Sequence, residues 1–576
     1  MTIHIGIDLG TTNTVVAVVD TAKGNLPTII PMLQPDKGIV GESNWSHLNS
    51  LPSSILIPFK ETPDTSYALV GRYAKRAITE HSMGNNHYVR SCKRLIGTCW
   101  KKKIFGRYLP PHYFSSLILK TALSQARAHL GKDIEGGVVI TIPAAFNSEQ
   151  RRQTKVAAIH AGIKPENVIL IDEPIAALFS QLNRNSGKLK DGERRIYMVI
   201  DSGGGTTDCS IVKAVREHTH LEFDVVASSR YNEVAGSDLD TLIAGLILST
   251  MKDAETYLDG LDERGRSVLA NMLVEEAERV KIQLSRKVRE ASRQELINNP
   301  PSERILLENL PRDSEGKIRR ISAKIDYLTV VDLLSPYFKR EAPRTGVGYL
   351  PTLFKPMDEC RDQARSTLDD PSFDYLAIDG IFLAGGTALL PLFQEKMREV
   401  VPDCETVGDP MNAIAEGAAL YNLYRSTGRN GEGKEVRISR RCFDGLYLKT
   451  EDGRMVEVIP PFRPIPSPKS SSSCQLVMPV DDHRLKFELF MGRSPNDPFL
   501  YMAGRRSAEF GKMVIKGSAI SLWWSIDKDG CMTLGISASD CDTQISILDN
   551  MGINSQEIDN WPDLKVNPDQ FRRRGT

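Results

Sequence analysis

Apolar positions along this chain follow two rhythms. Short runs in which nearly every residue is apolar stop at an acidic or small residue, and longer stretches repeat apolar residues every three or four positions. The first kind predicts buried strands and the second predicts amphipathic helices. Residues 1 to about 20 read as two strands, and Val138-Val139-Ile140-Thr141-Ile142 as a buried strand ended by Pro143. Asn147-Ser148-Glu149-Gln150 reads as a helix start leading into 151–161, and Val168 to Asp172 as a strand entering a helix at Ile175-Ala176-Ala177. A second lobe begins near Ile196. Residues 240–330 are expected to be mostly helical, with Leu273, Ala277, Val280 and Leu284 as the stripe of one helix. Gly380 to Ala384 reads as a strand that turns at Gly385-Gly386-Thr387 and opens a helix near Pro391. Strands alternating with helices predict an α/β fold.

Near residue 426 the texture changes. Ser426 to Lys434 is polar and glycine-rich, the composition of a linker. Beyond it come short strands and turns, with Asp527-Lys528-Asp529-Gly530 between two apolar runs as a hairpin signal. The expected organisation is an α/β domain over 1–426, a linker over 427–441, an all-β domain over 442–550 and a short tail over 551–576. Pro562 and Pro568 in the tail disfavour a long helix.

Two segments are built alike: Ile5 to Val16, with Asp8 before Gly10-Thr11-Thr12-Asn13, and Val199 to Val212, with Asp201 before Gly203-Gly204-Gly205-Thr206 and Asp208 after it. Each reads as a hairpin whose tip exposes backbone N–H groups to an anion. Aspartates placed where phosphates bind require a divalent cation between them. The pair predicts a metal–nucleotide clamped between two similar lobes, and the turn at Gly385-Gly386 adds a third close approach.

The bulk properties narrow the partners. The 576 residues are 41% apolar and 25% charged, with a formal net charge of zero, so charge points to neither nucleic acid nor a membrane surface. The nine cysteines, Cys92, Cys99, Cys209, Cys360 and Cys404 among them, show no Cys-x-x-Cys and are expected as free thiols. With no signal peptide and no bilayer-length apolar run visible, a cytoplasmic location is expected.

These residues resemble the ATPase domain of the 70-kDa heat-shock chaperone family (DnaK type), within the actin and sugar-kinase superfamily. Cys92-Lys93-Arg94-Leu95-Ile96-Gly97, Ile142-Pro143-Ala144-Ala145-Phe146-Asn147 and Glu173-Pro174-Ile175-Ala176-Ala177 are similar to that family's segments in the same order, over roughly 3–425. A weaker resemblance, through Val456 to Pro460 and Trp524 to Gly530, continues into its peptide-binding β-domain. The resemblance implies ATP or ADP with Mg2+ as ligands and hydrolysis of ATP to ADP and phosphate. It implies Gly10, Thr11, Thr12, Asn13, Gly203, Gly204, Gly205 and Thr206 at the phosphates, and Gly236, Glu278, Lys281, Ser285, Gly385 and Gly386 at the remainder of the nucleotide. Lys93, Glu173, Asp201 and Asp208 take the catalytic roles, and Asp8 and Asp201 hold the metal, mostly through water. In the β-domain, Leu476, Met478, Leu485 and Phe487 fit an apolar peptide pocket, although core packing fits them as well. Extended polypeptide and a nucleotide-exchange factor are the implied partners.

Several positions depart from the family. Ile282 and Leu389 stand where arginines often sandwich adenine. Ile169 replaces an arginine that serves J-domain proteins, and Glu435 to Arg441 replaces a leucine-rich linker, so a J-domain partner is doubtful. The tail over 551–576 is expected to be too short for the family's helical lid. A chaperone-like ATPase is the leading expectation. A nucleotide-sensing module with one dedicated protein partner is its rival, ahead of an actin-like filament or a small-molecule kinase.

Overall fold

A computed structural model of the chain describes residues 2–35, 45–58, 67–77, 87–134, 136–184, 189–230, 235–338, 344–345, 348–349, 352, 354–401, 404–406, 408–428, 434–450, 452–538, 541–548, 561 and 564–566. The mixed α/β architecture expected from the sequence is present, and the two hairpins found in the sequence each open a mixed sheet. In the first lobe the strand order is Val168–Asp172, Val138–Ile142, Ile3–Leu9, Asn13–Asp20, Pro27–Ile29. The first three run parallel and the last two are added antiparallel. In the second lobe, Cys404–Thr406, Gly380–Ala384, Arg194–Ser202, Thr207–Arg216 and His220–Ser228 repeat that order and those senses. Val138–Ile142 and Gly380–Ala384 are buried at every position, the pattern of strands covered on both faces.

Two helices, Glu173–Arg184 and Ala413–Thr427, lie between the lobes and share one core with both sheets, including Val15, Phe179, Val199, Val212 and Leu420. Their approach requires glycine. A Cβ on Gly417 would stand 1.7 Å from the Ala176 carbonyl oxygen, and one on Gly6 would stand 2.2 Å from the Ala419 nitrogen. Helix Ser148–His160 starts where expected, with a reciprocal capping box between Asn147 and Gln150. The predicted stripe is the buried face of the long helix Glu263–Glu290. The stretch expected to be mostly helical also holds a hairpin, Ser302–Leu307 with Ile321–Asp326.

Residues 429–433 of the expected linker lie outside the described residues. From Glu435 the chain runs as a strand, Glu435–Cys442, parallel to His220–Ser228 on the edge of the second lobe's sheet. Lys434 anchors its start, with Nζ 2.6 Å from both the Asp191 carboxylate and the Glu217 carbonyl. Two four-stranded sheets follow, Met455–Ile459 through Tyr501–Val514 and Ser467–Val477 through Cys541–Leu548. They enclose one core that includes Leu446, Phe487, Leu522, Trp524 and Leu534.

This β-sandwich touches both lobes. Arg151, 1% exposed, donates to the Phe146 and Ala144 carbonyls, the Asp172 carboxylate and the Asp529 carbonyl. Lys155 pairs with Asp529 at 2.7 Å, and the Met532 N–H donates to Ser148 Oγ. On the second lobe, Arg230 pairs with Asp497 at 2.7 Å, and Arg493 donates to the Ser228 carbonyl. The tail also returns: Lys565–Val566 pairs with Tyr67–Val70, and Trp561 and Leu564 join the first lobe's core. No helix among the described residues is long and apolar enough to cross a membrane.

Candidate functional site

The two hairpin tips meet at the base of the cleft between the lobes. A Cβ on Gly204 would lie 2.1 Å from Thr12 Oγ1, and one on Gly205 would lie 2.2 Å from Thr11 Cγ2, so glycine alone permits this approach. Gly385 has φ +83°, and a Cβ there would stand 2.5 Å from Asp201 Oδ1; only glycine meets both constraints. Helix Gly236–Ser249 starts against the second tip, with its first N–H groups donating to the Gly203 and Gly204 carbonyls. Thr387 Oγ1 donates to the Gly203 carbonyl at 2.7 Å.

Above the tips the cleft opens into a cavity of about 870 Å³. Its wall includes Asp8, Lys93, Glu173 and Asp201 and every position expected at the nucleotide: Gly10, Thr11, Thr12, Asn13, Gly203 to Thr206, Gly236, Glu278, Lys281, Ser285, Gly385 and Gly386. Asp208 is not on the wall. It stands opposite Asp201 in the second hairpin and is buried behind it. Both Asp208 oxygens are shielded from solvent without a hydrogen-bond partner among the described residues; the Thr206 hydroxyl approaches without completing one.

The charges here are unbalanced. Lys93 Nζ and Glu173 Oε1 are 2.6 Å apart, with side chains 8% and 4% exposed. Asp8, Asp201 and Asp208 crowd the same region. Burial, reinforced by Glu173, pushes Asp8 up to about 7 despite Lys93. Burial and Glu173 likewise push Asp208 up to about 7, and burial with three neighbouring carboxylates raises Asp201 well above the carboxylate range. Burial alone would lower Lys93, but Glu173, Asp8 and Asp201 outweigh it and raise its pKa. Four carboxylates and one ammonium leave a deficit of positive charge. The donors are hard oxygens, the choice of Mg2+. Among the described residues no three acidic, histidine or cysteine side chains are close enough to hold an ion directly.

Farther up, the lobes are linked by Lys75 and Glu278 at 2.5 Å, and Lys281 pairs with Asp240 at 2.8 Å. Sequence reading missed Lys75, Asp240 and Thr387. Thr387 carried a usable signal, because it ends the Gly385-Gly386 turn already singled out; Lys75 carried none. Ile282 and Leu389 both line the cavity, and Ile282 is 53% exposed.

In the sandwich, Met478 and Phe487 are core residues, 1% and 4% exposed, whereas Leu476 and Leu485 pack half-buried at its margin. The described cysteines are free: Cys92, Cys209, Cys360, Cys442, Cys474 and Cys531 are buried and Cys99 is exposed. The Cys404 side chain lies outside the described residues.

Compared with known families, residues 4–313 match the family described as Hsp70 protein. A protein named Chaperone protein DnaK, from Thermosipho africanus, is 28% identical over 470 residues, 81% of this chain and 66% of that protein. Another of that name, from Elusimicrobium minutum, is 30% identical over 417 residues, 72% of this chain and 56% of that protein. The matched region thus spans less than two thirds of either relative.

Proposed function

This chain belongs to the Hsp70 family, and on that premise we propose that it binds Mg-ATP in the interlobe cleft, hydrolyses it, and binds extended polypeptide through its β-sandwich. One observation carries the nucleotide reading: two glycine-built hairpin tips in contact, beneath a cavity whose floor holds Lys93, Glu173, Asp8 and Asp201. Backbone N–H groups of Gly10 to Asn13 and Gly203 to Thr206 would cradle the phosphates. Asp8 and Asp201 would hold hydrated magnesium, which supplies the positive charge that neutralises the phosphate oxygens. Lys93, fixed by Glu173, directs its ammonium at the γ-phosphate, where charge shifts as the bond to the leaving ADP oxygen breaks. Glu173, on the cavity wall, would orient the attacking water, and Asp208, buried close to it, would reach that water only when the cleft is occupied. Asp208, with its pKa raised to about 7, is suited to take up the proton that the water loses on becoming part of phosphate.

The polypeptide reading rests on one end of the sandwich. Val477, Val480, Met513 and Ile515 are 62%, 55%, 65% and 63% exposed. Strand pairing of Val477 with Ala519 and of Asp482 with Val514 brings them to the same end, beside half-buried Leu476 and Leu485. An apolar surface at a loop-built end suits an extended apolar segment. A nucleotide-exchange factor fits a cleft whose lobes are latched by Lys75 and Glu278. Ile169 is buried in the interlobe core, so a J-domain protein is expected to stimulate little.

Single-turnover hydrolysis of ATP, with and without magnesium, tests the enzyme reading. Asp8→Ala and Asp201→Ala should each lower the rate at least about a hundredfold; folded variants with unchanged rates would remove the proposed site. Peptide arrays probed with Val477→Asp/Ile515→Asp test the other half. Broad binding lost in that variant supports polypeptide capture, and no binding by the parent chain favours one dedicated partner.

A further inference from the structure

The tail offers a function that neither the cleft nor the sandwich explains. Trp561 sits against the first lobe, with ring centroids 4.8 Å from His160, 5.1 Å from His112 and 5.4 Å from Tyr113. The His160 ring is fixed by a 2.8 Å hydrogen bond between its Nδ1 and Ser116 Oγ. Trp561 and Leu564 are 9% and 1% exposed. Just beyond Leu564, Lys565–Val566 adds a parallel strand beside Tyr67–Val70. That strand's other edge is taken by Ser54–Ile57, so the tail completes the sheet. An aromatic anchor, a second apolar anchor and backbone pairing along a sheet edge make up strand-addition peptide recognition, here filled by the chain's own segment.

Its position gives this site a consequence. The sandwich is entered through Glu435–Cys442, which is paired to the second lobe, and left through Cys541–Leu548, from which residues 549–560 lead to the Trp561 site on the first lobe. It is therefore tied to opposite lobes at its two ends. It also contacts them through Asp529 at Arg151 and Lys155, and through Asp497 at Arg230. While the tail is seated, a sandwich that lets go of the lobes stays within reach of residues 549–560, and its return is intramolecular.

We propose that Trp561, Leu564 and Lys565–Val566 form an intramolecular strap: they occupy a peptide site on the first lobe and thereby hold the β-sandwich docked across both lobes. Loss of the tail from that site is then the step that frees the sandwich. The natural competitor is an extended segment with tryptophan and leucine three positions apart.

Hydrogen exchange on the full-length chain tests this, comparing the parent, Trp561→Ala, and a chain with a flexible Gly/Ser insertion of roughly 20 residues within 551–555. In Trp561→Ala, the amides of Tyr67–Val70 and of the docking segments 493–501 and 527–532 should exchange at least about tenfold faster. Those of Val138–Ile142 and Ala519–Ile526 should stay unchanged, showing both domains folded. A synthetic peptide of residues 555–572 should restore protection of Tyr67–Val70 but not of the docking segments. The insertion should leave Tyr67–Val70 protected and deprotect only the docking segments. Docking segments that keep parental protection in both variants would overturn the strap, and a peptide that fails to protect Tyr67–Val70 would overturn the site.

Discussion

Replacing Lys93 with methionine isolates the electrostatic core of the cleft. The ammonium and the Glu173 carboxylate are 2.6 Å apart and almost wholly withdrawn from solvent. In such a pair the mutual attraction largely offsets two desolvation costs, so deleting one partner exposes the other's cost rather than the value of one contact. The expected loss is about 3–5 kcal/mol in the nucleotide-free chain. For a body this large that corresponds to a fall in Tm of roughly 2–4 °C. The neighbours set the pH dependence. Asp8 and Asp208 have pKa values raised to about 7, so their protonated forms are favoured in the fold; the stability this gives is present at low pH and lost as pH rises through 7. Without Lys93 these carboxylates are raised further, and the penalty should be larger at pH 8 than at pH 6. The companion variant Lys93→Met/Glu173→Gln removes both charges while keeping shape, and should recover more than half of the loss. Thermal unfolding of the parent, both single variants and the double variant at two pH values completes the cycle. A Lys93→Met chain within about 1 kcal/mol of the parent, or single effects that simply add, would refute the argument that the pair is desolvated and mutually dependent.

The same raised carboxylates predict that Mg-nucleotide binding releases protons and tightens from pH 6 to pH 8, because the cation favours their charged forms; calorimetry in buffers of different ionisation enthalpy would show no proton release if this is wrong. With aliphatic Ile282 and Leu389 on the cavity wall, GTP should bind within about tenfold of ATP, and a preference much greater than that in competitive titration would mean that other groups read the base. Gly417→Ala places a methyl group 1.7 Å from a backbone oxygen that can retreat only with its helix. It should cost about 1–3 kcal/mol or more and loosen the lobe junction, and a parental Tm would show that the helices are not in the close contact described.

The site was legible where its chemistry is local. Asp8 with Gly10-Thr11-Thr12 and Asp201 with Gly203-Gly204-Gly205 could be read because a hairpin tip is specified by its own few residues: an apolar run, a turn that demands glycine, and a returning run. The same holds for the capping box at Asn147 and for the stripe from Leu273 to Leu284. Lys75 could not be found this way. Its partner Glu278 is distant in sequence, and nothing around residue 75 differs from an ordinary helical surface. Asp208 was recognisable as a site residue, but its place behind the cavity wall, and hence its raised pKa, depends on how the second hairpin is covered.

The sequence by itself determined the repeated hairpins, the alternation of strand and helix, and the change to an all-β texture after residue 426, because period and turn chemistry act within a few residues of one another. Tertiary structure decided what those pieces meet. Arg151 reads as a helix-surface cation, yet it is buried between the Asp172 carboxylate and the Asp529 carbonyl, and only docking of a distant hairpin creates that environment. Glu435–Cys442 alternates too weakly in polarity to announce a strand, and an open sheet edge on the second lobe makes it one. Trp561 lies in a segment whose prolines disfavoured a long helix and announced nothing else, and a ready aromatic pocket on the first lobe gives it a place. In each case the deciding free energy comes from desolvation and pairing against a surface that forms only when remote segments come together.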